Sequence, residues 1–288
     1  SLDAGSVYMI RYIFEGQDVQ DFAKGTSDAK QYALSFFVKT TNFTGTFVVE
    51  LIDSVNTRHC CKSYTVSSAG SWQKVELIFP ADTTGAITSD NLGRFEMNFY
   101  IGAGSGYTAG TLQTTWGGRS GNTNRATGQT AQIGSSTSNR FQITGVQLEV
   151  GSVATDFEHL SYADEFRRCA RYCYQWGADQ MLGFGQVWSG SGYVKIFPPI
   201  PVNMRAKPSV SKSVGTGSVW FVSYQGNSGF AGDRNVTVEG NTMDYNPNTS
   251  TNVFRIFVHN GSNQGNGTTL MNWMHDTTGC YLRLEAEL

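Results

Sequence analysis

Short runs in which apolar residues alternate with polar ones, separated by turns rich in Gly, Ser, Thr and Asn, recur along most of the chain. In WQKVELIF (72–79) the apolar positions largely alternate with Gln, Lys and Glu, which is typical of a strand with one face in water. Many such runs at short spacing predict an all-β protein, with an N-terminal jelly-roll β-sandwich. The runs before residue 151 are VYMIRYIF (7–14), YALSFFVK (32–39), TFVVELI (46–52), WQKVELIF (72–79), RFEMNFYI (94–101) and RFQITGVQLEV (140–150).

The composition excludes several classes of protein. The formal net charge is −2, which gives no electrostatic basis for binding nucleic acid or an anionic membrane. No apolar run approaches the roughly 20 residues that a membrane helix needs. Five cysteines in no regular framework argue against a disulfide-stapled secreted domain, so we expect folding in a reducing cytosol. A strand-like run begins almost at the first residue, which suggests part of a longer protein.

The second half contains a helix followed by further strands. Ser161 is a plausible N-cap, with Asp164 and Glu165 suited to the first turn, and we expect the helix to run to about Trp176. From Met181 the β pattern returns, which predicts a smaller C-terminal β-sandwich. The domain boundaries are therefore 1–155 for the jelly roll, 156–177 for the linker and helix, and 178–288 for the C-terminal β domain.

The helical segment DEFRRCARYCYQW (164–176) raises the question of whether Cys169 and Cys173 carry chemistry. A structural zinc site needs four ligands, and no local His or Cys completes the set. Cys-x-x-Cys redox motifs have a different spacing, and a disulfide within one regular helix is geometrically poor. The alternative is an apolar seam with the spacing of a coiled coil, on which helices could meet around a symmetry axis or pack on the chain's own domains. The seam residues are Tyr162, Phe166, Cys169, Cys173 and Trp176.

The stretch ITGVQLEVGSVATDFEHLSYADEFRRCARYCYQW (143–176) resembles a segment that recurs in tail fibre and virion structural proteins of tailed bacteriophages. The pattern there is roughly TGVQLE-G--AT-FE-RSY-EEL--CQRYY. Two positions depart from it, because Leu160 stands where Arg is common and Ala170 replaces a Gln. The matching positions are Thr144, Gly145, Val146, Gln147, Leu148, Glu149, Gly151, Ala154, Thr155, Phe157, Glu158, Ser161, Tyr162, Glu165, Cys169, Arg171 and Tyr172.

The resemblance extends to the flanking regions and implies a function. The upstream half is similar to carbohydrate-binding modules, and FPPIPVNMRAKPSVS (197–211) is similar to the strand entry of the C-terminal part of such proteins. It implies a non-catalytic, homotrimeric tail fibre or receptor-binding protein, located in the virion and made in the host cytoplasm. Its partners would be host cell-surface polysaccharide or lipopolysaccharide and other tail proteins. A purely structural virion protein with a degenerate sugar-binding fold is the first alternative, and a glycan depolymerase is the second.

Candidate glycan-binding residues come from aromatic side chains beside polar loops, because an exposed ring stacks on a sugar while amides and carboxylates bind its hydroxyls. Most aromatic residues of β domains are core, and we expect Trp116 to pack rather than bind. No catalytic residue and no metal ligand is assigned. No cofactor is expected, although calcium stays open because jelly rolls of this kind often bind it through carbonyls and Asp. The candidates are Trp188, Tyr193, Tyr224, Asn227, Phe230, Asp233, Tyr245 and Asn246.

Two further patterns contain residue types that could carry chemistry. Gly102, Gly104 and Gly106 follow a strand, but a nucleotide-binding loop would need a helix next, and glycines of a long β–β loop are the simpler interpretation. The histidines are scattered and form no known catalytic motif. His275 beside Asp276 is more simply polar surface than a general base.

Overall fold

A computed structural model describes the protein over residues 2–177, 180–189, 193–196, 199–206, 208–212, 220–224, 230–231, 237–238, 256–259, 269–274 and 281–287. The chain is mostly β-sheet with few helices, as its alternation predicts. Its contacts divide it into two units, one ending at His159 and the other beginning at Leu160. Within the described ranges, no helix has the length and apolar character needed to cross a membrane.

The first unit consists of two antiparallel sheets. The larger has the order β1-β6-β3-β4-β7 and the smaller has the order β5-β2-β8. A one-turn helix, α1 (Ser105–Thr108), and two 3-10 segments, Gly16–Phe22 and Ile133–Ser135, lie in the connections. The strands are β1 (Val7–Glu15), β2 (Tyr32–Thr41), β3 (Gly45–Asp53), β4 (Arg58–Val66), β5 (Gln73–Phe79), β6 (Gly93–Ala103), β7 (Gly117–Gly118) and β8 (Arg140–Val150).

The two sheets share an apolar core. Phe36 of β2 meets Phe99 of β6 with ring centroids 5.2 Å apart, and Phe47 of β3 stacks on Tyr64 of β4 at 5.3 Å. Trp116 packs against this core and donates from its indole nitrogen to the Pro80 carbonyl at 2.8 Å, so the expectation that it packs is confirmed.

The opposite face of the larger sheet is covered by a long connection between β6 and β8, residues 104–139, here named the strap. A second apolar cluster lies beneath it, in which Val48, Cys61 and Tyr100 of the sheet meet Ala126 of the strap. Strand β3 is therefore buried on both faces, and all seven residues from Phe47 to Asp53 are buried. Any charged side chain that β3 carries must find its partners inside the protein.

The glycines at the start of the strap allow close packing of backbone. A Cβ at Gly104 would lie 2.0 Å from the carbonyl oxygen of Asp3, and one at Gly106 would lie 2.6 Å from that of Ala4. A helix does follow Gly104, contrary to expectation, but α1 has only four residues. The need for close approach accounts for these glycines without a phosphate.

The second unit begins with a helix, α2 (Tyr162–Ala170), and continues as strands. One sheet has the order β12-β18-β9, and the other has the order β14-β13-β17-β10-β11-β16-β15. The strands are β9 (Cys173–Trp176), β10 (Met181–Ser189), β11 (Tyr193–Ile196), β12 (Ser209–Lys212), β13 (Trp220–Tyr224), β14 (Phe230–Ala231), β15 (Thr237–Val238), β16 (Ile256–His259), β17 (Thr269–Met274) and β18 (Leu282–Glu285).

Helix α2 starts as predicted and ends earlier than predicted. Ser161 is the N-cap, and its hydroxyl oxygen accepts from the backbone N–H of Asp164 at 3.2 Å. The prediction that the helix reaches Trp176 is wrong, because Cys173–Trp176 forms a strand that pairs with Leu282–Glu285. That pairing joins segments more than one hundred residues apart, so local spacing could not reveal it.

Candidate functional site

The segment that carries the family resemblance forms a compact hydrogen-bonded structure, here named the clasp (Gln147, Glu149, Thr155 and Glu158). The Glu149 carboxylate accepts from both the backbone N–H and the hydroxyl of Thr155, each at 2.8 Å. The Gln147 side chain donates to the Thr155 hydroxyl at 3.0 Å and accepts from the Glu158 backbone N–H at 2.8 Å. Two side chains of β8 thus hold the chain that follows the strand.

A glycine and two aromatic rings accompany the clasp. Gly145 has a φ of +59°, and a Cβ there would lie 3.3 Å from the Phe37 ring and 3.8 Å from the Phe157 ring. Burial would raise the pKa of Glu149, but its hydrogen bonds to Thr155 and Gln147 outweigh this and hold the pKa below its usual value. These residues of the segment therefore have a local structural role, which is to fix the path of the chain up to the end of the first unit.

A second cluster, which sequence reasoning missed, surrounds the carboxylate of Glu50 under the strap. Glu50 lies on β3 and is fully buried. Its oxygens accept from Arg125 of the strap through Nε and Nη2 at 2.9–3.1 Å, from Tyr100 Oη at 2.7 Å and from His59 Nδ1 at 2.8 Å. A carboxylate only accepts, so His59 carries a proton on Nδ1. Here this cluster is named the anion cluster.

Arg125 joins the strap to the sheet. The residue is 4% exposed. Its guanidinium donates to Asn122 Oδ1 at 3.1 Å and lies over the rings of Tyr100 and Tyr107 at 5.9 and 5.7 Å. Arg119 is more distant, with its Nε 3.8 Å from Glu50 and its side chain 30% exposed. The buried charge of Glu50 is thus matched mainly by one bidentate arginine, the arrangement that gives the strongest hydrogen bonds.

The electrostatics of the anion cluster favour a fixed charge. Burial would raise the pKa of Glu50, but hydrogen bonds from His59 and Arg125 outweigh it and lower the pKa from 4.5 to about 2. Burial and the Glu50 charge raise the pKa of the neighbouring Cys61 thiol far above its usual value. A protonated thiol is a poor nucleophile, and Cys61, His59 and Glu50 have no exposed surface, so the cluster does not suit nucleophilic catalysis.

The ligand atoms of Glu50, His59 and Cys61 lie within 4.8 Å of one another, which is close enough for a metal site. The set does not fit a cation. Glu50 already accepts hydrogen bonds from Arg125 and Tyr100, and His59 points a protonated nitrogen at Glu50. Burial raises the pKa of the Cys61 thiol. A metal would have to displace a buried arginine and deprotonate a buried thiol.

A third cluster lies at the other end of β3 and is here named the cation cage. The ammonium of Lys24 is an ion-pair partner of Asp53, lies 3.0 Å from Asp82 Oδ2, and donates to the carbonyl oxygens of Thr84 and Gly85, each at 2.9 Å. The Lys24 side chain is 1% exposed, and those of its acidic partners Asp53 and Asp82 are 0% and 3% exposed.

Two outer groups support the cage. Arg58 forms a bidentate pair with Asp82, with both distances 2.9 Å, and Trp116 places its ring centroid 5.4 Å from the Lys24 nitrogen. Burial would raise the pKa of Asp82, but hydrogen bonds from Arg58 and Lys24 outweigh it and lower the pKa. The Asp82 carboxylate is thereby kept ionised.

The predicted seam is only partly helical. Tyr162, Phe166 and Cys169 lie on α2, where the two rings stack with centroids 6.2 Å apart and the three residues are exposed. Cys173 and Trp176 lie on β9 instead, where Cys173 is partly buried and Trp176 is 3% exposed. A seam of five residues on one helix is therefore wrong. Because Cys169 and Cys173 do not share a helix, the geometric argument against a disulfide within one helix does not apply to them. Both are free thiols in this structure.

The predicted glycan-binding residues are brought into no described site. Trp188, Tyr193, Tyr224 and Phe230 lie on strands β10, β11, β13 and β14, of which the structure describes the backbone alone. The remaining predicted residues, Asn227, Asp233, Tyr245 and Asn246, lie outside the described residues.

In the first unit, one exposed aromatic side chain, that of Trp72, has a charged neighbour. Trp72 is 47% exposed, and the Lys39 ammonium lies 5.3 Å from its ring centroid. It lies next to β5, on the surface of the smaller sheet.

Comparison of the sequence with protein-family models and with curated proteins finds no match to either.

Proposed function

We propose that the chain is a non-catalytic virion protein of a tailed bacteriophage, a tail fibre or receptor-binding protein that attaches to host cell-surface glycan. The observation that carries the proposal is the clasp. Its four residues belong to the segment that resembles phage proteins, and each has a defined hydrogen-bonding role. Proteins that share an architecture are expected to share a segment with such a structural role. The first unit would then be a jelly roll similar to carbohydrate-binding modules.

The arrangement of buried charge supports a binding role over a catalytic one. The carboxylates of the anion cluster and the cation cage are sealed from solvent and matched by arginine or lysine. Catalytic acids need contact with substrate and a pKa near the working pH, whereas the pKa of Glu50 is lowered to about 2. These carboxylates act as supports of the fold.

Helix α2 supports self-association. It has nine residues, of which eight are exposed, and a helix this short is marginal in water without packing. Tyr162 is 84% exposed and stacks on Phe166. Coverage of this face by further copies of the chain would stabilise the helix, and a trimer would multiply a weak affinity for sugar. The proposed contact consists of Tyr162, Phe166 and Cys169.

The trimer is tested by the mass of the native full chain from light scattering. We expect a three-chain mass for the wild type and for Arg168→Ala, a control on the opposite side of α2. Phe166→Asp should give a one-chain mass. A monomeric wild type would remove the trimer, and equal loss in both variants would show that α2 is sensitive to any change.

Glycan binding is tested with labelled full chain on a panel of bacterial capsular polysaccharides and lipopolysaccharides. We expect Tyr224→Ala and Tyr245→Ala to weaken binding at least tenfold and Trp72→Ala to leave it unchanged. The reverse pattern would place the site on the first unit. Absence of binding to every surface glycan would favour the purely structural virion protein, and release of new reducing ends would favour the depolymerase.

A further inference from the structure

The cation cage has the composition of a metal site. Four oxygens lie around the Lys24 nitrogen, two from the carboxylates of Asp53 and Asp82 and two from the carbonyls of Thr84 and Gly85. Carboxylate and carbonyl oxygens are the ligands that calcium prefers. An ammonium has only three protons to donate, so four oxygens exceed what its hydrogen bonds require. The surroundings resemble those of a spherical cation.

The cage does not fit a metal in the wild-type protein. Its centre is filled by the ammonium. The distances from the Lys24 nitrogen to Asp82, Thr84 and Gly85, 2.9–3.0 Å, suit N–H···O bonds and exceed the 2.3–2.6 Å of calcium ligands. The calcium that the jelly-roll resemblance leaves open is therefore not expected at this position.

The cage joins three segments that are distant in sequence. Lys24 follows the first 3-10 segment, Asp53 ends β3, and Asp82 lies after β5. Gly25 lets the first segment approach, because it has a φ of +79° and a Cβ there would lie 2.2 Å from the Ala86 nitrogen. Asp53 also accepts from the backbone N–H groups of Val55 and Asn56 at 3.0 Å, which orders the β3–β4 turn. This is the task that a structural ion performs.

Charge counting shows what the lysine contributes. Asp53 and Asp82 carry two negative charges, and Lys24 and Arg58 carry two positive ones, so the cage is neutral as built. Of the two acids, Arg58 forms an ion pair only with Asp82. Loss of the Lys24 ammonium therefore leaves Asp53 buried without a charged partner. A divalent cation could take that place if room were made for it.

We propose that the Lys24 ammonium is a built-in substitute for a structural metal ion, so that the first unit needs no divalent cation there, and that shortening Lys24 converts the cage into a calcium site. The inference is independent of the proposed function. It rests on the geometry of the cage, and glycan binding can fail without affecting it.

The first measurement is the thermal unfolding of the full chain in calcium and in a chelator. The wild type should unfold at the same temperature in both, since the ammonium already holds the cage. Lys24→Ala should unfold about 10 °C lower in chelator, because a buried charge loses its partner, and calcium should restore several degrees. Lys24→Met is the matched control, because its side chain fills the space and should give no calcium response.

Two readouts assign the response to the cage. Hydrogen exchange should slow with calcium in peptides around residues 51–60 and 80–86 of Lys24→Ala. Terbium, which prefers the same ligands as calcium, should emit on excitation of Lys24→Ala through Trp116, whose ring lies 5.4 Å from the Lys24 nitrogen. Trp116→Phe in the same background should abolish that emission.

Either of two results would overturn the inference. A calcium-dependent rise in the unfolding temperature of the wild type, with slowed exchange at the same peptides, would mean that the ammonium does not fill the role. Lys24→Ala that fails to bind terbium, or that folds in neither buffer, would mean that the oxygens cannot hold an external cation.

Discussion

The anion cluster and the cation cage each bury an ion and satisfy its hydrogen bonds, but the central ions have opposite charges. In one, the carboxylate of Glu50 is surrounded by donors from Arg125, Tyr100 and His59. In the other, the ammonium of Lys24 is surrounded by oxygen acceptors. Both begin on β3, the strand that is buried on both faces, and both reach a long connection. A buried ion is tolerated in each place because its hydrogen-bonding capacity is fully used.

Removal of either buried ion should cost more stability than the ion contributes to folding as part of its pair. Replacing a whole buried ion pair with apolar groups can be neutral, but removing one partner leaves the other desolvated and unpaired. The anion cluster has one acid and its main base on different elements, so Arg125 also decides whether the strap stays on the sheet. The cation cage has two acids and two bases, so loss of Arg58 leaves Lys24 paired with both acids.

The largest effect is expected at Arg125. Arg125→Met keeps the length of the side chain and removes three hydrogen bonds to Glu50, so the free energy of unfolding of the first unit should fall by about 4 kcal/mol. Urea unfolding, with hydrogen exchange to identify the unit, measures it. Lys74→Ala, which removes an exposed ion pair, is the control and should change nothing measurable. A loss below about 1 kcal/mol for Arg125→Met would mean that apolar contacts alone hold the strap.

The next effect is a dependence on pH that belongs to the anion cluster. The folded pKa of Glu50 lies below its unfolded value, so its contribution is complete above pH 4.5 and is lost as the pH falls towards about 2. The shift from 4.5 to about 2 corresponds to about 3 kcal/mol. Glu50→Gln lacks this titration, so the stability gap between wild type and variant should narrow on acidification. Parallel curves for the two proteins between about pH 5 and about pH 3 would contradict the prediction.

Much of the first unit could be predicted from the sequence, because its strands alternate. Six runs between Val7 and Val150 are predicted to be strands, and each forms one, with ends that differ by up to two residues. Strand β4 (Arg58–Val66) is not predicted by alternation, because its sequence RHCCKSYTV mixes charged and polar residues with two adjacent cysteines. Alternation cannot identify a strand whose second face is covered by another part of the chain.

The buried charges left a weaker signal. Glu50 stands in TFVVELI with apolar residues on both faces of the strand, and such a strand is buried on both sides. That pattern implies a compensated charge, although nothing in NTNRATG (122–128) marks Arg125 as the partner. The helix end at Ala170 was also beyond local reasoning, since β18 decides it. The clasp was visible as a motif, but its meaning required the fold.

Arg58 tests the partial compensation of the cation cage. Arg58→Met removes the bidentate pair with Asp82 and leaves Lys24 in place, so the loss should be about 2 kcal/mol, half of that expected at Arg125. The side chain is 19% exposed, and water can replace part of the interaction. Urea unfolding measures the change beside Arg125→Met. If Arg58→Met lowered the free energy of unfolding as much as Arg125→Met does, the second base of the cation cage would not compensate for the loss of the first.

The smallest effect is expected at Arg119, which approaches the same carboxylate as Arg125 from 3.8 Å without a hydrogen bond between them. Arg119→Ala should cost about 0.5 kcal/mol, because a partly exposed charge at this distance is screened by water and salt. Raising the salt concentration should shrink that cost further and leave the cost of Arg125→Met unchanged. Unfolding of both variants at low and high salt separates the two contributions. If Arg119→Ala proved as costly as Arg125→Met, the Glu50 charge would be stabilised by the summed positive charge under the strap. The bidentate hydrogen bonds of Arg125 would then contribute no more than its charge does.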